Sequence, residues 1–385
     1  MMTSSIASPA RPLPNRIPPE ILCAQDYELL APRCMELPSH DYIAGGCGRD
    51  TTVAANRSAF ARWAIYPRLL RDLTTGHTRV TIAGKGYAHP VFLAPVAFQK
   101  LVHPLGELET ARAAQVMDSC MVSSTLSSVR LEEIAAAAGP DRWFQLYFQP
   151  AQEGTRDLVK RAEDAGYGAI VVTLDATIQI PSMRALRSGF RMPRDCVAVN
   201  LRDETPAASA PLGSGQSRIF QGVMRTAPTW RDLEWLLTQT RLPVWVKGVL
   251  HPEDAIALQS MGVTGVVVSN HGGRSLDGAP ASLDALPAIR AAVGASFPLL
   301  LDSGIRSGAD IFKALALGAN AVLIGRLQLY ALSVAGALGV AHMIRLLLEE
   351  LEVCMALAGC ATVPDIRPDA LIGHHIPVDH GHSPC

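Results

Sequence analysis

The chain is poor in aromatic residues, in charge imbalance and in paired cysteines, and each shortage excludes something. Aromatic residues make up 5% of its 385 residues, too few for stacking platforms to dominate a nucleic-acid surface. Lys and Arg number 34 and Asp and Glu 35, a net charge of −1, which removes nucleic acid and anionic lipid as bulk electrostatic partners. None of the 8 cysteines forms a CxxC pair. A chain of 41.1 kDa needs no stapling, so they read as free thiols in a reducing cytoplasm. The first 20 residues carry Pro9, Pro12, Pro14, Pro18 and Pro19 and no apolar run after the basic residues. That segment predicts a floppy arm rather than a secretory signal. The C-terminal His374, His375, His380, His382 and Cys385 lie in a Pro/Gly-rich end that predicts a flexible, solvated tail and no metal site. One stretch, Leu327 to Ile344, is free of charge, but Gln328, Ser333, His342 and glycines interrupt it. It predicts a buried helix rather than a membrane span.

What is present is core-forming: 49% hydrophobic residues against 18% charged, too apolar for disorder. From residue 90 onward one pattern repeats. A short apolar or β-branched run ends in polar residues or glycine, and a longer helical segment follows. The runs are VFLAP (91–95), MVSST (121–125), WFQLYF (143–148), AIVVTLD (169–175), PVWVKG (243–248), GVVVSNHGG (265–273), PLLLDSG (298–304) and AVLIGR (321–326). Apolar runs without alternation predict strands buried on both faces, as in a parallel sheet. Segments such as 131–139, 155–166, 232–240, 252–262 and 309–318 read as amphipathic helices, several ending in glycine. Eight such units predict an α/β protein of the (β/α)8 TIM-barrel class, ahead of an open doubly wound sheet. The expected organisation is an arm over 1–20, an N-terminal helical extension over 21–89, a barrel over 90–370 and a flexible tail over 371–385. The long stretch 200–226 after the fourth strand, poor in core residues, predicts an active-site lid or an excursion.

In barrels function gathers at the C-terminal strand ends. Here those ends carry Gln145 and Tyr147, Thr173 and Asp175, Lys247, Ser269 with His271 and Arg274, Asp302 with Gly304 and Arg306, and Gly325 with Arg326. Each alone has a dull explanation, but together they would point into one mouth. The glycines and arginines after the seventh and eighth strands suit a phosphate-bearing ligand.

The stretch SNHGGRSLDGAP (269–280) resembles the signature of the FMN-dependent α-hydroxy acid oxidases and dehydrogenases, the glycolate oxidase-like family. The likeness extends through 41–60, 93–107, 144–148, 243–249 and 300–326. Within that family the chain is most similar to bacterial members acting on aryl hydroxy acids of the 4-hydroxymandelate type. The resemblance implies FMN as cofactor, with the backbone of Ala94, Pro95 and Val96 against the flavin ring. Ser124, Gln145 and Thr173 would bond its edge, Lys247 would lie near its N1 and O2, and Ser269 would help with the ribityl chain. Asp302, Ser303, Gly304, Arg306, Gly325 and Arg326 would hold the ribityl hydroxyls and phosphate. It further implies His271 as base, Asp175 orienting it, Arg274 on the substrate carboxylate, and hydroxyl contacts from Tyr42 and Tyr147.

Three positions depart from the family pattern. In 175–190 the usual second arginine falls on Ser182 and the usual Asp on Ala185, with Arg184 or Arg187 a candidate substitute at the substrate. Ser303 stands where a glycine is usual, a change tolerated unless φ is positive there. Leu126 replaces a tryptophan and leaves room for a larger side chain. The resulting expectation is oxidation of a bulky or aromatic, mandelate-like L-2-hydroxy acid to the 2-keto acid, with O2 reoxidising the flavin to give hydrogen peroxide. Ala97, as in oxidase members, and the absence of an apolar membrane-docking run in 200–226 favour that acceptor. The alternatives are a dehydrogenase or monooxygenase of a small acid such as lactate, and a diverged FMN barrel with changed chemistry. A cytoplasmic homo-oligomer, a tetramer by resemblance, with no nucleic-acid or membrane partner completes the expectation.

Overall fold

All eight apolar runs become strands, and the strands close on themselves. They are β1 (Val91–Leu93), β2 (Met121–Ser124), β3 (Arg142–Leu146), β4 (Ile170–Thr173), β5 (Val244–Val249), β6 (Gly265–Val268), β7 (Leu299–Leu301) and β8 (Ala321–Ile324). Each pairs in parallel with the next in chain order, and β8 pairs with β1 through Val322↔Val91 and Ile324↔Leu93. This is the (β/α)8 barrel. Nearly every strand residue is buried, because side chains fill the barrel on one face and helices cover the other. The computed structural model describes residues 16–178, 180–201, 213 and 215–373. Residues 1–15 of the expected arm, most of the excursion after β4 (202–212 and 214) and the histidine-rich end (374–385) lie outside the described residues.

The helices that follow the strands are α1 (Glu107–Val116), α2 (Leu131–Ala137), α3 (Gln152–Asp164), α4 (Trp230–Gln239), α5 (Pro252–Met261), α6 (Ser282–Val293), α7 (Gly308–Ala316) and α8 (Arg326–Ala358). Their ends follow local chemistry. Helix α4 starts in a capping box formed by Thr229 and Asp232. Helix α5 stops at Gly262, whose φ of +89° closes the last turn. Helix α8 is long and apolar enough to cross a membrane by length and composition, but Leu327 to Gly336 are all buried and the helix packs against α1. It breaks at Ala335 and Gly336, the latter at φ +57°.

The N-terminal extension is less uniformly helical than its sequence suggests. Helices Asp26–Leu30, Leu37–Ala44 and Thr51–Ala61 are followed by a strand, Trp63–Ile65, and a hairpin, Val80–Ile82 with Lys85–Tyr87. The strand pairs antiparallel with Leu371–Gly373. Those three residues were expected in the tail. They are ordered because a partner more than 300 residues away in sequence satisfies their backbone.

Two contacts lay the extension across the C-terminal mouth. Asp277, in the loop after β6, accepts from the backbone N–H of Arg49 (2.7 Å), Thr51 (2.9 Å) and Thr52 (3.2 Å). It is a carboxylate at the N-terminus of helix Thr51–Ala61, where the helix dipole favours negative charge. Deeper in, Asn56 and Asn270 exchange amide hydrogen bonds of 2.9 and 2.7 Å.

Candidate active site

The strand ends surround a cavity of about 420 Å³, within the range of small-molecule and cofactor sites. At its floor the β5 residue Lys247 is almost wholly buried. Its Nζ lies 3.0 Å from Asp302 Oδ2, just beyond β7, and donates to Ser269 Oγ at 2.8 Å. Burial opposes the ammonium charge, but Asp302 and then Asp175 outweigh it and hold the Lys247 pKa above its ordinary value. Gln145 and Thr173 line the same floor. Ser124 Oγ and the Thr125 backbone N–H both donate to Gln145 Oε1, each at 3.2 Å. Gln145 Nε2 and Thr173 Oγ1 are buried without a hydrogen-bond partner among the described residues. Such orphaned groups are costly unless a ligand meets them.

Above the floor stands His271, at φ +59°, with Nδ1 2.9 Å from Asp175 Oδ1. Burial pushes the Asp175 carboxyl upward, but the His271 imidazole and the Lys247 charge more than offset it, so the pKa lies below its ordinary value. The pair depends on a glycine. Gly248 has φ +103°, and a Cβ there would lie 2.5 Å from Asp175 Cβ. The β5–β6 pairing shifts register at this residue, between Lys247 and Val249, a bulge that re-aims the strand end. Tyr147 lines the cavity, and burial pushes its hydroxyl well above the ordinary tyrosine range.

Arg274 lies 4.9 Å over the Tyr42 ring and donates from Nη1 to the carbonyls of Tyr42 (2.8 Å) and Gly45 (3.0 Å). Tyr42 in turn stacks on Phe190 at 4.3 Å. Leu126, Phe98, Ile180, Ala185 and Leu186 complete an apolar wall on this side.

The lining carries further cations beside Arg274. Ala94, Pro95, Val96, Ser303, Gly304, Gly325, Arg306 and Arg326 also line the cavity. Gln328 holds the Ala94 carbonyl at 3.0 Å. Gly304 has φ +90°, and a Cβ would meet Asn56 O at 2.4 Å. Arg306 forms a two-point ion pair with Glu28, at 2.6 and 2.9 Å. Arg326 donates to the carbonyls of Ile43 (2.7 Å), Gly272 (2.7 Å) and Gly45 (2.8 Å). Burial, with Arg274 nearby, brings the Arg326 pKa down to about 10, still fully charged at neutral pH. The cations Lys247, Arg274, Arg306 and Arg326 outnumber the carboxylates Asp175, Asp302 and Glu28, which suits an anionic occupant.

Most residues singled out in the sequence therefore meet in one cavity. Asp175, Ser124 and Ser269 stand behind it, each bonded to a residue that lines it. Arg184 is the exception. It belongs to a short helix, Met183–Arg187, and forms a salt bridge with Asp50 at 2.9 Å, away from the cavity lining. Ser182 caps that helix through a hydrogen bond from the Ala185 N–H, so the segment presents a serine and an alanine to the cavity and turns its arginine outward. Ser303 also departs from expectation: its φ is +79°, a conformation that favours glycine, so the serine is held there at a cost of about 1–3 kcal/mol. Glu28 carried no sequence signal, because its role depends on a partner 278 residues distant. Phe190 and Ile180 lie in 175–190, where the sequence departs from the family pattern.

Residues 31–373 match the family model described as FMN-dependent dehydrogenase. An L-lactate oxidase of Alicycliphilus denitrificans is 64% identical over 357 residues, covering 93% of this chain and 98% of that protein. A 4-hydroxymandelate oxidase of Amycolatopsis orientalis is 46% identical, covering 85% of this chain and 91% of that protein. A crystal structure of mandelate oxidase with (S)-2-phenylpropionate superposes with a TM-score of 0.82 at 42% identity, covering 91% of this chain and 98% of that one.

The Gly248 contact yields a direct test. Gly248→Ala places a methyl group where Asp175 now packs. A crystal structure of the variant is expected to show Asp175 moved beyond hydrogen-bond reach of His271 Nδ1. An unchanged 2.9 Å contact would contradict the claim that this glycine sets the pair.

Proposed function

The chain belongs to the FMN-dependent dehydrogenase family and uses FMN to oxidise a 2-hydroxy acid; from that premise we propose that its substrate is a small L-2-hydroxy acid of the lactate class, with dioxygen as the final acceptor. The observation that carries this reading is the similarity to an L-lactate oxidase along nearly the whole chain. It displaces the bulky, mandelate-like acid expected from Leu126. That acid stays as a second reading, favoured by the apolar wall of Leu126, Phe98 and Phe190. A cytoplasmic homo-oligomer belongs to the proposal as well, on the strength of the free thiols and the family resemblance.

The cavity suits FMN. The unpartnered Gln145 Nε2 and Thr173 Oγ1 lie beside the Lys247 ammonium, a set that matches the polar edge of a flavin ring. Arg326 and the bare backbone at Gly304 and Gly325 suit the phosphate end. Arg306 and Arg326 would contribute there mainly by charge and backbone, since Glu28 engages two guanidinium nitrogens of Arg306 and the carbonyls of Ile43, Gly272 and Gly45 engage those of Arg326. Ala94, Pro95 and Val96 would lie along the ring, with Ser124 and Ser269 acting through Gln145 and Lys247. When bound, FMN would supply the two-electron redox chemistry that links oxidation of the substrate carbon to reduction of dioxygen to hydrogen peroxide.

The protein's own groups handle the proton and the charge. His271 would take the proton of the substrate 2-hydroxyl at Nε2, because Nδ1 faces Asp175. Asp175, held ionised, stabilises the imidazolium that results. Arg274 would grip the carboxylate. Tyr147 stays protonated and can donate a hydrogen bond, with Tyr42 opposite. Lys247 would supply positive charge to stabilise a reduced flavin.

Two tests bear on this reading. In a panel of glycolate, L-lactate, mandelate and 4-hydroxymandelate with peroxide detection, L-lactate is expected to give the highest kcat/KM; a preference for mandelate would support the second reading and overturn the first. His271→Ala is expected to keep a yellow, FMN-loaded protein but slow anaerobic flavin reduction by roughly 10²–10⁴-fold, whereas Arg184→Ala is expected to leave KM within about twofold because its partner is Asp50. Near-normal reduction in the first variant, or a large rise in KM in the second, would contradict the roles assigned.

A further inference from the structure

The hydrogen bonds at the ends of β5, β6 and β7 form a closed circuit, and one member, Ser303, has no part in the handling of proton and charge described above. Lys247 Nζ pairs with Asp302 Oδ2 at 3.0 Å and donates to Ser269 Oγ at 2.8 Å. Ser269 Oγ also accepts from the His271 backbone N–H at 3.0 Å. The next residue, Gly272, donates its N–H to Ser303 Oγ at 3.0 Å. Ser303 Oγ donates to Asp302 Oδ1 at 2.7 Å and so returns to the starting carboxylate. The Gly272 carbonyl accepts from Arg326 at 2.7 Å, so the same turn carries the base on one side and a cationic wall residue on the other.

Ser303 sits at φ +79°, where glycine would be more at ease. Its hydroxyl supplies the compensation, with the donor spent on Asp302 and an acceptor position on Gly272. We propose that Ser303 is a positioning residue: through this hydroxyl it draws part of the Asp302 charge away from Lys247 and ties the β7 loop to the His271 turn. The inference rests on the FMN reading of the cavity. Its sign follows from the geometry. One carboxylate oxygen of Asp302 faces Lys247 and the other faces Ser303. Without the hydroxyl, the carboxylate charge is shared by fewer donors and neutralises Lys247 more completely. Less positive charge is then available to a reduced, anionic flavin, and reduction becomes harder.

The test compares the FMN-loaded wild type with Ser303→Gly and Ser303→Ala by measuring the midpoint potential of the bound flavin against a dye of known potential. Both variants lack the hydroxyl, but only the glycine relieves the backbone. Both are expected to fall by about tenfold in the two-electron reduction equilibrium, about 30 mV. Ser303→Gly is expected to unfold no earlier than Ser303→Ala, so at least one variant is available in folded form. Unchanged potentials in the FMN-loaded variants, or a shift in Ser303→Ala alone, which would trace the effect to backbone strain, overturn the proposal. Failure of the wild type itself to take up FMN contradicts the cofactor reading, and the inference falls with it.

Discussion

The buried Lys247–Asp302 ion pair is the constraint around which the rest of the site is arranged. Both side chains are over 90% buried, with their charged atoms 3.0 Å apart. Neither charge could stay there alone: removing one partner of a buried pair leaves the other uncompensated, at about 3–5 kcal/mol. Lys247 belongs to β5 and Asp302 follows β7, so the pair spans two strand ends with β6 between them. It holds a cation at the bottom of the cavity. Asp175 reinforces it from the β4 side while facing His271 with its own carboxylate. Cation, carboxylates and base therefore form one electrostatic unit, and a change at any of them is felt by the others.

Backbone geometry sets the unit in place. His271 and Ser303 adopt positive φ values of 59° and 79°, and Gly248, Gly272 and Gly304 do the same at 103°, 64° and 90°. Apart from Gly248, which sits at the bulge inside β5, these positions lie just past strand ends, where the chain must turn sharply without giving up contact with the cavity. At Gly248 and Gly304 the glycines also let a side chain or a neighbouring backbone approach closely. The N-terminal extension closes the arrangement from above. Asp277, the Asn56–Asn270 pair and the Arg326 bonds to Ile43 and Gly45 fasten it to the barrel mouth, and Glu28 reaches down to Arg306.

Much of this was legible in the sequence, for identifiable reasons. The eight strands were readable because both faces are buried, which leaves continuous apolar runs. The cavity residues were readable because a barrel collects the polar residues that follow each run. Contacts between distant segments were not readable. Nothing local marks Glu28 as the partner of Arg306, or Leu371–Gly373 as the partner of Trp63–Ile65. Arg184 was misplaced because a serine cap starts a short helix at Ser182 and directs the arginine towards Asp50. The strain at Ser303 was invisible because a residue type does not declare its φ; only the hydroxyl contacts of the folded chain explain why a serine is held there.

The site is thus a preformed floor built on a buried ion pair, with Gln145 Nε2 and Thr173 Oγ1 unsatisfied among the described residues, flanked by a base and an apolar wall. That arrangement is the central claim, and a crystal structure of the FMN-loaded protein tests it most directly. Gln145 Nε2 and Thr173 Oγ1, unpartnered here, are expected to be hydrogen-bonded to the flavin, with the Lys247–Asp302 pair intact beside it. A flavin bound elsewhere, or both groups still without a partner beside it, would contradict that claim.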